Sequence, residues 1–409
     1  MSKAYIIGTC DTKGPELSFM RDLIESAGVA TCLVDVSTTL NDELLNANIK
    51  IDILAREVAA YHPDGVAAIS SLSDRGQAVA AMKIALVNFV SSKASAGEIL
   101  GVVGAGGSGN TDLVSAALRV LPIGMPKIFV STVGSGDVSP YVGPSDIAMV
   151  YSVTDVAGLN QISRQVLGNA ANALVGMLCN PVPASEDQPA IGLSMFGVTT
   201  PCVERVRELL QDDYECLVFH ATGTGGQSME KLVESGFLTG TIDVTTTEVC
   251  DEISGGVFSA GPHRFDILAA SGHPYVGSCG ALDMVNFGAM TTVPERYKDR
   301  KLYAHNANVT LMRTNVEESI AIGRFIGEKL NAFRGKVRFL LPEKGLSLLD
   351  MAGEIFYEPQ ANAALFKSLK DTVIQTEIRK IVTLPFHLND DNFAQALFDN
   401  WNEIKEGIV

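Results

Sequence analysis

Short apolar runs alternate with longer amphipathic segments along most of the chain. Residues 3–9 (KAYIIGT) have the length and composition of a buried strand. Residues 15–28 (PELSFMRDLIESAG) follow, with one helical face formed by Leu17, Met20, Leu23 and Ile24. Strands that alternate with helices of this length imply right-handed crossovers and a parallel sheet covered on both faces. The pattern therefore predicts an α/β fold.

The same alternation continues to the end of the chain. In the first half it predicts further strands at residues 29–37, 65–70, 98–104, 126–132 and 146–152, and helices at 52–62, 74–92 and 160–178. It restarts after residue 190, with strands predicted at 191–197, 215–221, 239–245, 336–342 and 380–386, and helices at 201–212, 227–236 and 391–407. We therefore expect two Rossmann-like subdomains with mainly parallel sheets.

A boundary between the two subdomains is predicted at residues 179–190 (CNPVPASEDQPA), which carry three prolines together with Ser, Glu and Asp. A chain of 409 residues is also too long for one compact core. We expect an N-terminal subdomain over residues 1–182 and a C-terminal α/β subdomain, with loops rich in His and Arg, over residues 190–409.

Charge and cysteine usage narrow the class of partner. The net charge of −16, with no run of Lys or Arg, argues against a nucleic-acid partner, which needs a basic surface. No eighteen consecutive residues are apolar, so no membrane span is predicted. The seven cysteines are scattered without a C-x-x-C pair, which is typical of reduced thiols. We expect a cytoplasmic protein that binds small molecules.

The segment 104–109 (GAGGSG) has G-x-G-x-x-G spacing between a predicted strand and an amphipathic run. Glycines let the backbone approach a ligand closely, and the free N–H groups at a helix start attract phosphate oxygens. A nicotinamide cofactor is disfavoured because residues 124–132 (GMPKIFVST), about twenty residues on, contain no acid and the next one is Asp137, and no Gly-Lys-Ser/Thr sequence supports a Walker motif. The alternative is a tight strand–helix turn that binds nothing.

Two more loops follow predicted strands, at residues 8–14 (GTCDTKG) and 131–137 (STVGSGD). Because ligands bind at the carboxyl ends of parallel strands, we expect the three loops to form one nucleotide-phosphate site. Asp11 and Asp137 are candidates to hold Mg²⁺ through water, although turn capping is the alternative for each. The predicted nucleotide contacts are Gly8, Thr9, Asp11, Thr12, Lys13, Gly104, Gly106, Gly107, Ser108, Gly109, Asn110, Thr132, Ser135 and Gly136.

The second half combines titratable side chains with glycine-rich loops. Residues 219–230 (FHATGTGGQSME) again read as strand, glycine turn and helix, and five of the six histidines lie beyond residue 190. The catalytic candidates are His220, Glu248, Arg264, His273 and Asp283. Such a set suits metal ligation, acid–base chemistry, or an anionic substrate held by Arg264 and Arg313. The alternative for each histidine is a hydrogen-bonded loop residue.

Several long segments resemble the Tm-one-like ATP-binding family, an uncharacterised protein family related to the N-terminal domain of a tomato mosaic virus resistance protein. They include the loops at 8–14 and 104–111, residues 121–160 and 219–232, and residues 243–264 and 293–314. The resemblance runs nearly end to end. It implies two Rossmann-like subdomains, ATP with Mg²⁺ bound in the N-terminal one, and a homodimer.

Three functional hypotheses follow. The first is an ATP-dependent enzyme of small-molecule metabolism, acting on a sugar acid or keto acid at a cleft between the subdomains. The second is a nucleotide-gated protein-interaction module without turnover. The third is a metal-assisted hydrolase or carbon–carbon lyase that uses the C-terminal subdomain alone.

Overall fold

The fold is described from a computed structural model over residues 2–40, 49–183 and 188–405. The contacts divide the chain into two compact units, Met1–Ala184 and Ser185–Val409, each treated by itself below. Residues 184–187 of the predicted linker and residues 406–407 of the last predicted helix lie outside the described residues. In the part of the chain that is described, no helix has both the length and the apolar character that crossing a bilayer requires.

The N-terminal unit is a doubly wound α/β fold. Its strands are β1 (Lys3–Gly8), β2 (Thr31–Asp35), β3 (Ile99–Gly106), β4 (Lys127–Ser131) and β5 (Ala148–Tyr151). Its helices are α1 (Cys10–Ser26), α2 (Ala55–Ala59), α3 (Ala67–Ser70), α4 (Arg75–Ser95), α5 (Ser108–Arg119), α6 (Ser139–Val142) and α7 (Gln161–Cys179). The sheet order is β2-β1-β3-β4-β5, and every pair is parallel.

Both faces of this sheet are buried, which explains its nearly continuous apolar strands. Ile6 belongs to a core that includes Met20 of α1 and Leu174 of α7. Its neighbour Ile7 belongs to the opposite core, with Phe89 of α4 and residues of α5. Successive strand residues point to opposite faces of the sheet, so one strand contributes side chains to two cores.

Two predicted elements of the N-terminal unit differ from the structure. The strand predicted at 65–70 is wrong, because Ala67–Ser70 is the short helix α3 and of its residues only Ile69 is buried. An apolar run this short is ambiguous in period, and Ala favours a helix. Helix α1 begins at Cys10 rather than at residue 15, so most of the predicted GTCDTKG loop is its first turn.

The C-terminal unit carries a second, larger parallel sheet. The strands are β6 (Ala190–Met195), β7 (Glu215–His220), β8 (Leu238–Thr245), β9 (Tyr275–Gly280), β10 (Met284–Phe287), β11 (Leu302–Asn306), β12 (Val309–Arg313), β13 (Val337–Pro342) and β14 (Arg379–Leu384). The helices are α8 (Thr200–Leu210), α9 (Thr224–Glu234), α10 (Glu248–Ser254), α11 (Asp266–Ser271), α12 (Val316–Asn331), α13 (Pro359–Thr372) and α14 (Asp391–Ile404). The parallel order is β14-β13-β9-β8-β6-β7, whereas β10-β12-β11 form an antiparallel sheet.

The α/β class and the mainly parallel sheets predicted from the sequence are confirmed. The antiparallel sheet was not predicted, because its residues occur among polar and glycine-rich segments. Asn286 lies fully buried in β10 of this sheet. Arg313 is likewise buried, at the end of β12.

Candidate functional site

The strand order of the N-terminal unit places a ligand crevice between β1 and β3. The chain passes from β1 outward to β2 and then returns to the other side of β1, and ligands of such sheets bind at this reversal, outside the carboxyl ends of the strands. A cavity of about 1120 Å³ lies there. Its lining includes Thr9 and Asp11–Lys13 after β1, Val36 after β2, and Gly107–Asn110 after β3. The structure thus brings two of the three predicted loops together.

The start of α5 presents free backbone donors to this cavity. Gly107 precedes the helix and its carbonyl accepts the N–H of Thr111 at 2.9 Å, and no side chain caps the helix. The N–H groups of Ser108, Gly109 and Asn110 have no acceptor among the described residues. Unpaired donors at a helix start can attract an anion, because the helix dipole and the donors act together.

The start of α1 differs, because the protein itself occupies its donors. The N–H of Cys10 donates to Asp35 Oδ1 at 2.8 Å, and the N–H of Asp11 donates to Ser37 Oγ at 3.3 Å. Asp35 is buried at the end of β2, and burial raises the pKa of its carboxyl although hydrogen bonds from Cys10 and Ser37 oppose the shift. The GTCDTKG segment therefore contributes side chains, rather than backbone donors, to the cavity.

The glycines of the predicted motif serve two different purposes. A Cβ at Gly104 would lie 2.5 Å from the Ile7 carbonyl oxygen, and one at Gly106 would lie 2.7 Å from Asn110 Cβ. These two glycines permit internal packing. At Gly109 a Cβ would meet nothing within 4 Å, and at Gly107 only Thr132 Oγ1 at 3.8 Å. Gly107 and Gly109 line the cavity and leave it open.

Gly8 belongs with the packing glycines, since a Cβ there would lie 2.8 Å from a methyl carbon of Leu17. Its predicted contact with a nucleotide therefore has an internal explanation. Gly8 and the two packing glycines of the motif are absent from the residues that line the cavity.

Two cations line the cavity without an acidic partner in the described ranges, Lys13 from α1 and Arg75 from α4. Four carboxylates accompany them, of which Asp112 is paired with Lys83. Asp11 Oδ1 is buried and finds no hydrogen-bond partner in the described part of the chain. Sequence analysis did not single out Arg75, although its place at the start of a predicted helix beside the polar segment 71–74 was a usable signal.

The third predicted loop does not line this cavity. Thr132, Ser135 and Gly136 lie in the turn after β4 and are absent from the lining residues. Asp137 accepts hydrogen bonds from the N–H of Ser139 at 3.0 Å and from its hydroxyl at 2.5 Å, and these bonds lower the pKa of the Asp137 carboxyl. Asp137 thus has the turn-capping contacts named above as its alternative.

In the C-terminal unit, the second glycine loop is filled by a carboxylate of the protein. Glu248 Oε1 accepts the N–H groups of Gly223 and Gly226, at 2.8 and 3.0 Å, at the start of α9. Its other oxygen accepts Arg264 Nε at 2.9 Å, and a Cβ on Gly226 would collide with that oxygen. The position that a phosphate would take is therefore already occupied.

Arg264 completes a buried ion-pair network. Its guanidinium group donates to Glu230 at 2.9 Å and to Asp243 at 2.7 Å, and it is almost wholly buried. The three surrounding carboxylates raise the pKa of Arg264 although burial opposes the shift. Glu248 and Arg264 therefore have no exposed group to offer a substrate, and their catalytic assignment stays a prediction without geometric support.

The other three catalytic candidates lie apart. His220 ends β7, where burial lowers the pKa of its imidazole and its ring packs against Phe196 at a centroid distance of 5.2 Å. His273 precedes β9, at the opposite end of the sheet, and its Nδ1 lies 2.9 Å from the Thr239 carbonyl oxygen. Asp283 is fully buried. The structure does not gather these residues into one site.

Asp283 lies near a second buried carboxylate, Asp350. Burial and the charge of Asp350 raise the pKa of Asp283 to about 7. Arg313 lies 3.6 Å from Asp350 and opposes the shift of both groups. Across residues 2–40, 49–183 and 188–405, no group of three or more His, Cys, Asp or Glu side chains is arranged to hold a metal ion.

The fold defines a class of protein: a chain of two α/β units built on parallel sheets, with a cavity at the switch point of the first. Two family models match it, the N-terminal domain of the uncharacterised protein family UPF0261 over residues 2–182 and its C-terminal domain over residues 188–405. The chain belongs to the UPF0261 family.

The relatives support this membership. A UPF0261 protein of Rhizobium meliloti is 52% identical over 99% of both chains. A UPF0261 protein of Clostridium tetani is 45% identical over 97% of both chains. The ToMV resistance protein Tm-1(GCR237) of Solanum lycopersicum is 42% identical over 98% of this chain and 56% of its own length. The predicted resemblance to the Tm-one-like family is thereby confirmed.

Proposed function

We propose that the chain binds ATP with Mg²⁺ in the N-terminal cavity, with the triphosphate at the start of α5. The observation that carries the proposal is the set of unpaired N–H groups of Ser108, Gly109 and Asn110 inside a cavity at the switch point. Backbone donors at a helix start suit the oxygens of phosphate, as in other nucleotide-binding loops. The family resemblance supports the same ligand.

Side chains around the cavity complement a nucleotide. Lys13 and Arg75 supply positive charge and form no ion pair within the described part of the chain, although carboxylates share the lining with them. Thr12 adds a hydroxyl donor beside Lys13. Val36 and Leu72 provide apolar lining on which a base can rest.

Asp11 fits the role of a magnesium ligand. Its buried and unpartnered Oδ1 is the kind of oxygen that a hydrated Mg²⁺ accepts. Mg²⁺ usually combines one or two carboxylates with substrate phosphates, so it needs no preformed cage. When bound, the ion would neutralise phosphate charge, and we infer that it arrives with the nucleotide.

We further propose that the chain is an ATP-dependent enzyme of small-molecule metabolism, in line with the first hypothesis above. Purified chain, ATP, Mg²⁺ and a panel of sugar acids and keto acids should release ADP with at least one acid. If no panel member raises ADP release above the rate without an acid, the result favours the second hypothesis, a nucleotide-gated protein-interaction module without turnover. The cytoplasmic location and the homodimer stay predictions.

Lys13 provides the direct test of the nucleotide site. Lys13→Ala should weaken Mg–ATP binding by about 1.5–3 kcal/mol, the range for losing a hydrogen bond to a charged group. Lys93→Ala is the control, because Lys93 pairs with Glu98 away from the cavity. Titration calorimetry that finds equal affinities for both variants would remove Lys13 from the site. If wild-type protein binds no ATP, the proposal fails.

A further inference from the structure

The C-terminal unit contains a second cavity, of about 520 Å³, at the carboxyl ends of β13 and β14. Glu343 and Lys344 line it directly after β13, and His387 lines it shortly after β14. The first turns of α13 and the loop 345–358 complete the wall. The volume falls in the range of about 300–1,000 Å³ that is usual for small-molecule sites.

The switch point of this sheet, between β6 and β8, is closed by the protein's own hydroxyl groups. The hydroxyls of Thr199 and Thr245 lie 2.7 Å apart, and the Ser194 hydroxyl donates to Asp243. The Thr246 hydroxyl donates to the Ser278 carbonyl oxygen at 2.9 Å. These hydroxyl groups therefore already have partners within the protein, whereas an open cavity lies at β13 and β14.

Buried contacts hold the loop 345–358 in place. Arg313 Nε donates to the Phe356 carbonyl oxygen at 2.6 Å, and Asn362 Nδ2 donates to Asp350 Oδ2 at 2.6 Å. Asp350 Oδ2 also accepts the N–H of Leu346 at 3.0 Å. A wall fixed in this way costs a ligand little ordering entropy.

The apolar part of the lining is only partly buried by the protein. Met351 and Tyr357 line the cavity and remain 40% and 43% exposed. Phe366 and Pro359 lie on the α13 side. Exposed apolar side chains around a concave space of this size favour an apolar ligand, since filling the space removes their surface from water.

Polar groups of the lining limit the head group of that ligand. His387 Nδ1 accepts the N–H of Asn389 at 3.0 Å, so its Nε2 carries the hydrogen and donates to the Ser347 carbonyl oxygen at 2.9 Å. Both ring nitrogens are therefore engaged. Lys344 is the cation of the lining, and it has no acidic partner in the described part of the chain.

We propose that this cavity binds a small carboxylic acid with an apolar body, the carboxylate at Lys344 and the body against Met351 and Phe366. The site goes beyond nucleotide binding and does not rest on it. It also offers the anion a cation that is accessible, whereas Arg264 and Arg313, the arginines expected from the sequence, are buried in other contacts.

Three probes that share a phenylalkyl body test the head group on the full chain. In titration calorimetry, 3-phenylpropanoate should bind, and 3-phenylpropan-1-ol should bind about tenfold more weakly or worse, as expected for losing a charged hydrogen bond. 2-Phenylethylamine should bind at least tenfold more weakly than the acid, because the head group lies at Lys344 and not at Glu343, the acidic residue of the same lining. Binding of the alcohol or the amine as tight as that of the acid overturns the proposal. The proposal is also overturned if neither 3-phenylpropanoate nor 4-methylpentanoate, an acid with a branched aliphatic body, binds at millimolar concentration.

Variants locate the probe within the chain. Lys344→Met should weaken 3-phenylpropanoate binding about tenfold, and Lys344→Arg should restore most of the affinity. Lys298→Met is the control, since Lys298 is exposed and outside the cavity. Ala363→Phe should abolish binding by filling the space, because Ala363 is exposed toward solvent and lines the cavity. Unchanged affinity in Lys344→Met or in Ala363→Phe overturns the assignment.

Discussion

At the scale of single residues, the glycines of the 104–109 motif have two different roles. Gly104 and Gly106 let backbone and side chains pack within the unit, whereas Gly107 and Gly109 keep the cavity open. The spacing G-x-G-x-x-G was visible in the sequence. The sequence did not show which of these glycines line the cavity, because Gly104 and Gly106 are distinguished only by their neighbours in space, Ile7 and Asn110.

This division changes the expected effect of a bulky substitution at Gly106. Gly106 was predicted from the sequence as a nucleotide contact, but a Cβ there would collide with Asn110, so a bulky residue disturbs packing within the unit. Gly109→Val should instead weaken Mg–ATP binding at least tenfold while the free energy of unfolding changes by less than about 1 kcal/mol. Gly106→Val should lower that free energy by more. Urea unfolding and calorimetry of both variants check the contrast, and tight binding by Gly109→Val would contradict it.

At the scale of elements, helix starts decide where an anion can bind. Helices α1, α5 and α9 each follow a parallel strand through a glycine-containing turn. The first is engaged by Asp35 and Ser37 and the third by Glu248, so only the start of α5 is free among these three. The sequence placed the first two of these loops in one phosphate site and did not show that the starts of α1 and α9 are blocked, since the blocking carboxylates lie more than twenty residues away in the chain.

Substitution of Glu248 tests whether this carboxylate holds the start of α9 in place. Glu248→Ala leaves two backbone donors and one face of Arg264 unpaired, so it should lower the free energy of unfolding by about 3–5 kcal/mol. Glu208→Ala is the control, because Glu208 forms an exposed pair with Arg205 and should cost less than about 1 kcal/mol. Chemical denaturation measures both. A folded Glu248→Ala protein of wild-type stability would contradict the role assigned here and return Glu248 to the catalytic candidates.

At the scale of the whole molecule, buried carboxylates make stability depend on pH. Asp283 and Asp350 are both fully buried, and Arg313 supplies one positive charge for the two of them. The raised pKa of Asp283, about 7, means that the folded state holds its proton more tightly than the unfolded state. Stability should therefore fall as pH rises from about 4 toward 7 and then level off.

Asp283→Asn should remove this dependence, because the amide resembles the protonated carboxyl in shape and carries no charge at any pH. Relative to wild type, the variant should gain about 2–4 kcal/mol of unfolding free energy between pH 4 and pH 8, since one pKa unit corresponds to about 1.4 kcal/mol. Urea titrations at several pH values measure the difference. The exposed Asp299→Asn is the control and should run parallel to wild type. A constant gap between Asp283→Asn and wild type at all pH values would refute the assignment.

The sequence by itself determined the α/β class, the mainly parallel sheets and the family, because strand and helix periods and long motifs are local features. Only the tertiary structure decided that α5 offers free donors, that Glu248 fills the start of α9, and that Lys344 lines an open cavity. Each of these depends on contacts between residues distant in the chain. Hydrophobic periodicity encodes which face of an element is buried, but not which polar group meets which across the fold.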